Sequence, residues 1–286
     1  MANLIKVIRH LVENSLSDLQ DRSKGKNRVN DMGDSLEAFV KDIFADTLGE
    51  SDESIRVKKY SQVFSYLGNP KNPPDLIIRD GDAIEVKKIE SFKSEIPLNS
   101  SYPKSKLFAD DPMILDSCRS VDGGNWESKD LIYVIGIVKE NKIRRLWLIL
   151  GDCLAADPQI YKQIRDKIII GLEKIRCHEF SKNRELSSVN KLDSLGIAYS
   201  QIIEMCEISN PTNIYDYLNI DYDEKANLQI IAIMTDEKYH SFPKSDLDKI
   251  AKMVEEITKL KIRNVQINSP NNHVNLINAK LIIYQD

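Results

Sequence analysis

The chain has 286 residues, 42% of them hydrophobic and 29% charged, with 11 Gly and 10 Pro, which excludes collagen-like, low-complexity and disordered classes and predicts a sizeable core. Its 40 Lys and Arg against 44 Asp and Glu leave a net charge of −4, so any binding to a polyanion must use a local basic surface. The longest apolar run, LIYVIGIV at 131–138, is strand-sized and far short of the roughly 20 residues that span a membrane.

A first helix is expected over about 2–14. That segment, MANLIKVIRHLVENS, has neither an apolar core region nor a small-residue cleavage site, so a cytoplasmic location is expected. The stretch DRSKGKNRVN then carries Arg22, Lys24, Lys26 and Arg28 without an acid from Arg22 to Asn30. A second helix is predicted from about Met32 to Leu48, with Leu36, Phe39, Val40, Ile43 and Phe44 on one buried stripe and Asp34, Glu37 and Lys41 on another face. A strand at 63–67 leads through GNPKNPP into DLIIRDGDAIEVKKI, two apolar runs around an Asp-Gly turn, which reads as a hairpin.

A polar stretch from Ser91 to Gly124 follows, then a strand pair, LIYVIGIV and RLWLIL. The next helix is expected from Asp157, with Pro158 in its first turn and Ile160, Ile164, Ile168 and Leu172 on one stripe. Later strands are predicted at 197–205, 228–234, 265–267 and 280–284, with a helix over about 245–260. With no internal repeat or linker, the expectation is one domain over 1–286, catalytic core about 30–180, of the α/β class with a mixed β-sheet flanked by helices. Cys118, Cys153, Cys177 and Cys206 stand singly, which favours reduced thiols over zinc ligands, and the four histidines lie far apart and are assigned no catalytic role.

The chemistry is concentrated in Pro74-Asp75, nine residues, then Glu85-Val86-Lys87. A hairpin folded at Asp80-Gly81-Asp82 brings the start of its first strand beside the end of its second, so Asp75 approaches Glu85. Strand alternation puts Glu85 and Lys87 on one face and Ile84 and Val86 on the other. Two carboxylates at such a point suit Mg²⁺, a hard cation that takes one or two acids and keeps waters for a substrate phosphate, and an adjacent lysine can orient the attacking water. A solvent-facing Glu and Lys on an edge hairpin is the bland alternative. Asp82 reads as turn chemistry rather than as a ligand.

PPDLIIRDGDAIEVKK resembles the PD-(D/E)xK nuclease motif. Wider segments, NRVNDMGDSLEAFVKDIF at 27–44, VFSYLGNPKNPPDLIIRDGDAIEVKKIES at 63–91 and LNSSYPKSKL at 98–107, resemble the NgoPII-type type II restriction endonucleases, and the resemblance extends through DLIYVIGIV to NAKLI. It implies a restriction-endonuclease-like core and Mg²⁺-dependent cleavage of double-stranded DNA at a short palindrome, GGCC in the family, by a homodimer with a cognate methyltransferase. By the same resemblance Asp75 and Glu85 are the metal ligands and Lys87 the water-activating base. Glu37 is either an extra catalytic acid or an i,i+4 partner of Lys41. Another nuclease on the same core, for repair or junction cleavage, and a non-catalytic DNA-binding module are the alternatives.

DNA contacts need donors for phosphates and base edges. Two stretches offer them, Lys26, Asn27, Arg28 and Asn30 before the second helix and Asn99, Ser100, Ser101, Lys104 and Lys106 after the catalytic strand; either could instead be a solvated loop. Lys182, Arg184 and Lys191 form a further candidate set for phosphates. Residues 204–224, with six acids and no Lys or Arg, should face away from DNA.

Overall fold

Long β-branched runs need pairing on both edges and cover on both faces, and the order in which helices interrupt them decides how the sheet is laid down. A computed structural model of the chain describes residues 2–14, 28–69, 71–98, 102–140, 142–174 and 206–286 and three short strands between 180 and 202; for 28–34, 172–174 and those strands it describes the backbone path alone. Helices α1 (Leu4–Asn14) and α2 (Arg28–Ala45) come first. Then comes α3 (Glu53–Val63), opened by Asp52, whose side chain accepts from the Ser54 N–H at 2.8 Å. No residue of α3 is fully buried, so it carries no apolar stripe by which the sequence could announce it.

The chain continues through β1 (Phe64–Asn69), β2 (Asn72–Ile78), β3 (Ala83–Ile89), β4 (Ile96–Pro97), β5 (Lys106–Phe108), α4 (Asp116–Arg119), β6 (Ser128–Lys139), β7 (Lys142–Leu150), α5 (Gly151–Leu154) and α6 (Pro158–Lys174). After β8 (Phe180–Ser181), β9 (Ser187–Val189) and β10 (Ser200–Ile202) it runs through β11 (Glu207–Ile208), α7 (Pro211–Ile214), β12 (Gln229–Thr235), α8 (Asp236–Ser241), α9 (Lys244–Glu256), β13 (Leu260–Ser269) and β14 (Asn272–Gln285).

Nine strands form one mixed sheet in the order β1-β2-β3-β6-β7-β12-β14-β13, with β5 added on β6. The β3/β6 and β7/β12 pairs are parallel and the others antiparallel. This is the expected α/β architecture, a mixed sheet flanked by helices. Its centre is the apolar pair β6 and β7, where Ile132, Val134, Leu146, Trp147 and Leu148 are all fully buried. The C-terminal strands complete the same sheet that carries β2 and β3.

Helix α2 approaches the sheet closely because β6 has a glycine beneath it: a Cβ on Gly136 would lie 2.7 Å from the Leu36 side chain. That contact fixes the helix over β3 and β6 and sets the position of the next residue, Glu37.

Several expectations shift in detail. The polar stretch 91–124 holds β4, β5 and α4 rather than loop alone. The apolar stripe on α6 is not covered by the described residues, with Ile164 51% and Ile168 41% exposed. Of the strand predicted at 197–205 only β10 falls within the described residues, and the strands predicted at 265–267 and 280–284 are parts of a much longer hairpin. Among the described residues no helix is long and apolar enough to cross a membrane.

Candidate active site

Strands β2 and β3 turn on Arg79 to Asp82, with the Gly81 N–H donating to the Ile78 carbonyl at 2.9 Å and Asp80 in the left-handed region at φ 54°, a conformation Asp tolerates. Their ladder is short. Only Leu76 opposite Ile84 and Ile77 opposite Ala83 pair, because the next hydrogen-bonding position of β2, two residues back, is Pro74, which has no N–H to give. The peptide between the two prolines is cis.

Where the ladder stops, a side chain replaces it. The backbone N–H of Val86 donates to Asp75 Oδ2 at 2.6 Å, tying the carboxylate of β2 to the main chain of β3. Beside it, Lys87 Nζ donates to Glu85 Oε1 at 2.7 Å, the side chains of Lys87 and Glu85 being 20% and 12% exposed. The other carboxylate oxygen, Glu85 Oε2, is buried and has no hydrogen-bond partner among the described residues. Both faces of β3 are thus covered, where a bland edge hairpin would leave Glu85 and Lys87 in water.

The electrostatics follow from this crowding. Burial pushes the Asp75 carboxyl up to about 8; the negative charge of Glu85 adds to that, Lys87 and the Val86 N–H work against it, and Glu37 raises it further. For Lys87, burial favours the neutral amine, but the attraction of Glu85 and Asp75 outweighs it and the ammonium is held above its usual value. Glu37 is therefore within electrostatic reach of the pair, and it also makes the i,i+4 contact with Lys41, at 2.6 Å. The i,i+4 pair expected with Lys41 is present, and the Glu37 carboxylate lies in electrostatic reach of Asp75.

A buried pair of acids with one oxygen unpartnered and a second carboxyl reluctant to ionise is an arrangement that a divalent cation relieves. Among the described residues no group of three or more His, Cys, Asp and Glu side chains converges to cage an ion. Two carboxylates plus water and phosphate oxygens is the coordination the residues offer, and it is the one Mg²⁺ prefers.

One contact beside the site is not evident in the sequence. Tyr133 lies opposite Glu85 in the β3/β6 register, is buried, and its hydroxyl accepts from the Lys104 N–H at 2.8 Å. It ties β6, the neighbour of the strand that carries Glu85, to the segment around Lys104. The available signal was that Tyr133 is the one residue in LIYVIGIV whose side chain forms hydrogen bonds.

The expected DNA-contacting residues fall out unevenly. Lys104 Nζ pairs with Asp111, and Lys106 Nζ pairs with Asp130 at 2.6 Å and Asp152 at 3.3 Å. Arg28 and Asn30 lie on α2, where the backbone alone is described, while Lys26, Asn27, Asn99, Ser100, Ser101, Lys182, Arg184 and Lys191 lie outside the described residues. Asp82 does more than make a turn, since it accepts from Lys238 Nζ at 2.6 Å, an amine that also reaches Asp130 at 2.8 Å.

The family model of the NgoPII restriction endonuclease matches residues 2–268. The Type II restriction enzyme NgoPII of Neisseria gonorrhoeae is 40% identical over 283 residues, covering 99% of each chain. No solved structure matches the chain. On a full-length match of this kind, the chain belongs to the NgoPII restriction endonuclease family.

Proposed function

We propose that this chain is a type II restriction endonuclease that hydrolyses both strands of DNA at a short palindrome, GGCC by its family, with Mg²⁺ held between Asp75 and Glu85. The observation that carries the residue assignment is the unpartnered, buried Oε2 of Glu85 beside Asp75 and the Lys87 ammonium. Bound there, Mg²⁺ would lower the pKa of a water and neutralise charge developing on the scissile phosphate.

The protein's own groups do the rest. Val86 fixes the Asp75 carboxylate and Glu85 fixes Lys87 as an ammonium, so Lys87 is not the base expected of it; its remaining N–H groups orient the attacking water toward phosphorus and stabilise its developing negative charge, while the water gives its proton to solvent and the departing 3′ oxygen takes one from solvent. Loss of the 3′ oxygen as leaving group gives 5′-phosphate ends. Glu37, held by Lys41, adds a further acid at the rim.

Lys26, Asn27, Arg28 and Asn30 from one side and Asn99, Ser100 and Ser101 from the other are proposed to contact the duplex. Lys104 and Lys106, ion-paired with Asp111, Asp130 and Asp152, anchor the second of these segments. A palindromic site read by identical subunits implies a homodimer, one strand cut by each, and self-protection implies a methyltransferase of the same specificity in the same cytoplasm.

Purified protein incubated with plasmid DNA and Mg²⁺ tests this. Discrete fragments whose sequenced ends share one palindrome support it, and intact plasmid or randomly distributed ends reject it.

A further inference from the structure

Strand β14 pairs with β12 as far as Ala279, opposite Thr235; from there to Asn272 it pairs with β13 alone. At a rise of about 3.4 Å per residue, that length, strand-paired by β13 alone, carries the ribbon roughly 24 Å past the end of β12. Its faces differ. On one, Ile267 and Ala279 are buried, with Val265 and Ile277 half-buried beside them. On the other, Asn264 lies opposite Lys280 and Gln266 opposite Asn278, and the three amides are exposed. Lys280 Nζ donates to Asn264 Oδ1 at 2.6 Å and Gln266 Nε2 to Asn278 Oδ1 at 3.3 Å.

The charge of this ribbon is unlike that of the chain. None of the 44 acids lies between Ile257 and Gln285, whereas Lys259, Lys261, Arg263 and Lys280 do. Acids that touch it come from outside the segment: Asp236 at 3.1 Å from Lys280, Asp286 at 3.1 Å from Lys259, Asp223 at 3.2 Å from Gln285, and Asp157 at the tip.

The tip is also continuous with the active site. Asn271 accepts from the Asp157 N–H at 2.7 Å and donates to the Asp157 carboxylate at 3.0 Å. From there the Ala156 N–H donates to the Tyr161 hydroxyl at 3.0 Å, and the Tyr161 ring stacks on Tyr102 at 5.6 Å. Tyr102 precedes Lys104, whose N–H meets Tyr133 opposite Glu85.

We infer that the exposed amide face of the β13/β14 ribbon contacts the DNA duplex, an inference that rests on DNA being the substrate. A two-stranded ribbon fits the major groove, about 12 Å wide, and amide side chains both donate to and accept from base edges. The ribbon carries no acid of its own to repel phosphates, and on the amide face Lys280 neutralises Asp236, the acid paired with it there; Lys259, Lys261 and Arg263 alternate onto the other face.

Two variants test it, Asn264→Ala/Gln266→Ala/Asn278→Ala and Gln266→Glu/Asn278→Asp, all at exposed positions. DNA affinity without divalent ion, cleavage at limiting DNA, and molar mass by light scattering are compared with wild type. The expected result is an unchanged mass, weaker binding by both, the acidic variant by at least about tenfold, and cleavage falling in step. Wild-type binding by both variants overturns the inference. A fall in mass also overturns it, since Val274 and Leu276, 69% and 56% exposed near the tip, would then mark an interface between copies. If the wild type binds but does not cut, the nuclease reading fails while the binding comparison still decides the ribbon; if it cuts and the variants bind normally, the ribbon alone fails.

Discussion

The Val86 N–H holds Asp75 Oδ2 at 2.6 Å, in the place where the next rung of the β2/β3 ladder would stand. The orientation of one acid is therefore set by the backbone of the strand that carries the other acid and the lysine. Asp75→Asn keeps an oxygen for Val86 while removing the acid crowded against Glu85. It is expected to unfold thermally no earlier than wild type in metal-free buffer, and to cut plasmid at least about a hundredfold more slowly. Cleavage at the wild-type rate would remove Asp75 from the chemistry.

Lys87 is the ammonium beside the partly buried Glu85. Lys87→Met leaves that carboxylate unpaired, so a loss of about 1 to 3 kcal/mol in urea unfolding is expected together with loss of cleavage. Combining it with Glu85→Gln should restore most of the stability and none of the activity. A double variant as unstable as the sum of the two single variants contradicts the pairing.

Gly68 on β1 is packed against the main chain that presents Asp75. A Cβ there would sit 2.6 Å from the carbonyl oxygens of Pro74 and Asp75 and 2.9 Å from the Asp75 Cα. Backbone cannot step aside as a flexible side chain can, so Gly68→Ala is expected to cost about 1 to 3 kcal/mol and to slow cleavage by displacing Asp75. Gly171→Ala on α6, with nothing within 4 Å of its Cβ, should be neutral or stabilising by up to about 1 kcal/mol. Equal effects of the two changes on cleavage would sink the argument.

Asp130 accepts from Lys106 and Lys238. Burial alone would raise its carboxyl, but the two ammonium groups outweigh that and hold it below its ordinary 3.8. A carboxyl depressed in the folded state stabilises the fold above its unfolded value, and that contribution is lost as pH falls through the folded value. Asp130→Asn is expected to be less stable than wild type at neutral pH by about 1 kcal/mol, the carboxylate being partly exposed, and the gap should close below about pH 3.8. Urea midpoints at both pH values check this; a gap that widens in acid contradicts it.

The sequence carried the hairpin and its three charged residues because local rules suffice there: a turn at Asp80-Gly81, alternation along β3, and a motif written within a dozen positions. The paired strands β6 and β7 were legible for the same reason, their apolar runs being long enough to leave little choice. Helix α3 was not, since it buries no full side chain and has no stripe to read. Nor were the long-range partners. Asp82 reads as a turn residue because Lys238, its partner, stands 156 positions later, and the hydrogen bond of Tyr133 is not legible because its partner lies 29 positions earlier. The β13/β14 ribbon was seen only as two short apolar runs, because its exposed asparagines dilute the alternation that marks a strand.

The account stands on a divalent ion between Asp75 and Glu85, and the most direct measurement is anomalous diffraction from crystals of the protein with a cognate DNA duplex and Mn²⁺. A peak within about 2.1 Å of an Asp75 oxygen and of Glu85 Oε2, also touching a phosphate oxygen, is the predicted result. A peak that contacts neither carboxylate, in crystals whose dissolved protein still cuts DNA, would contradict it.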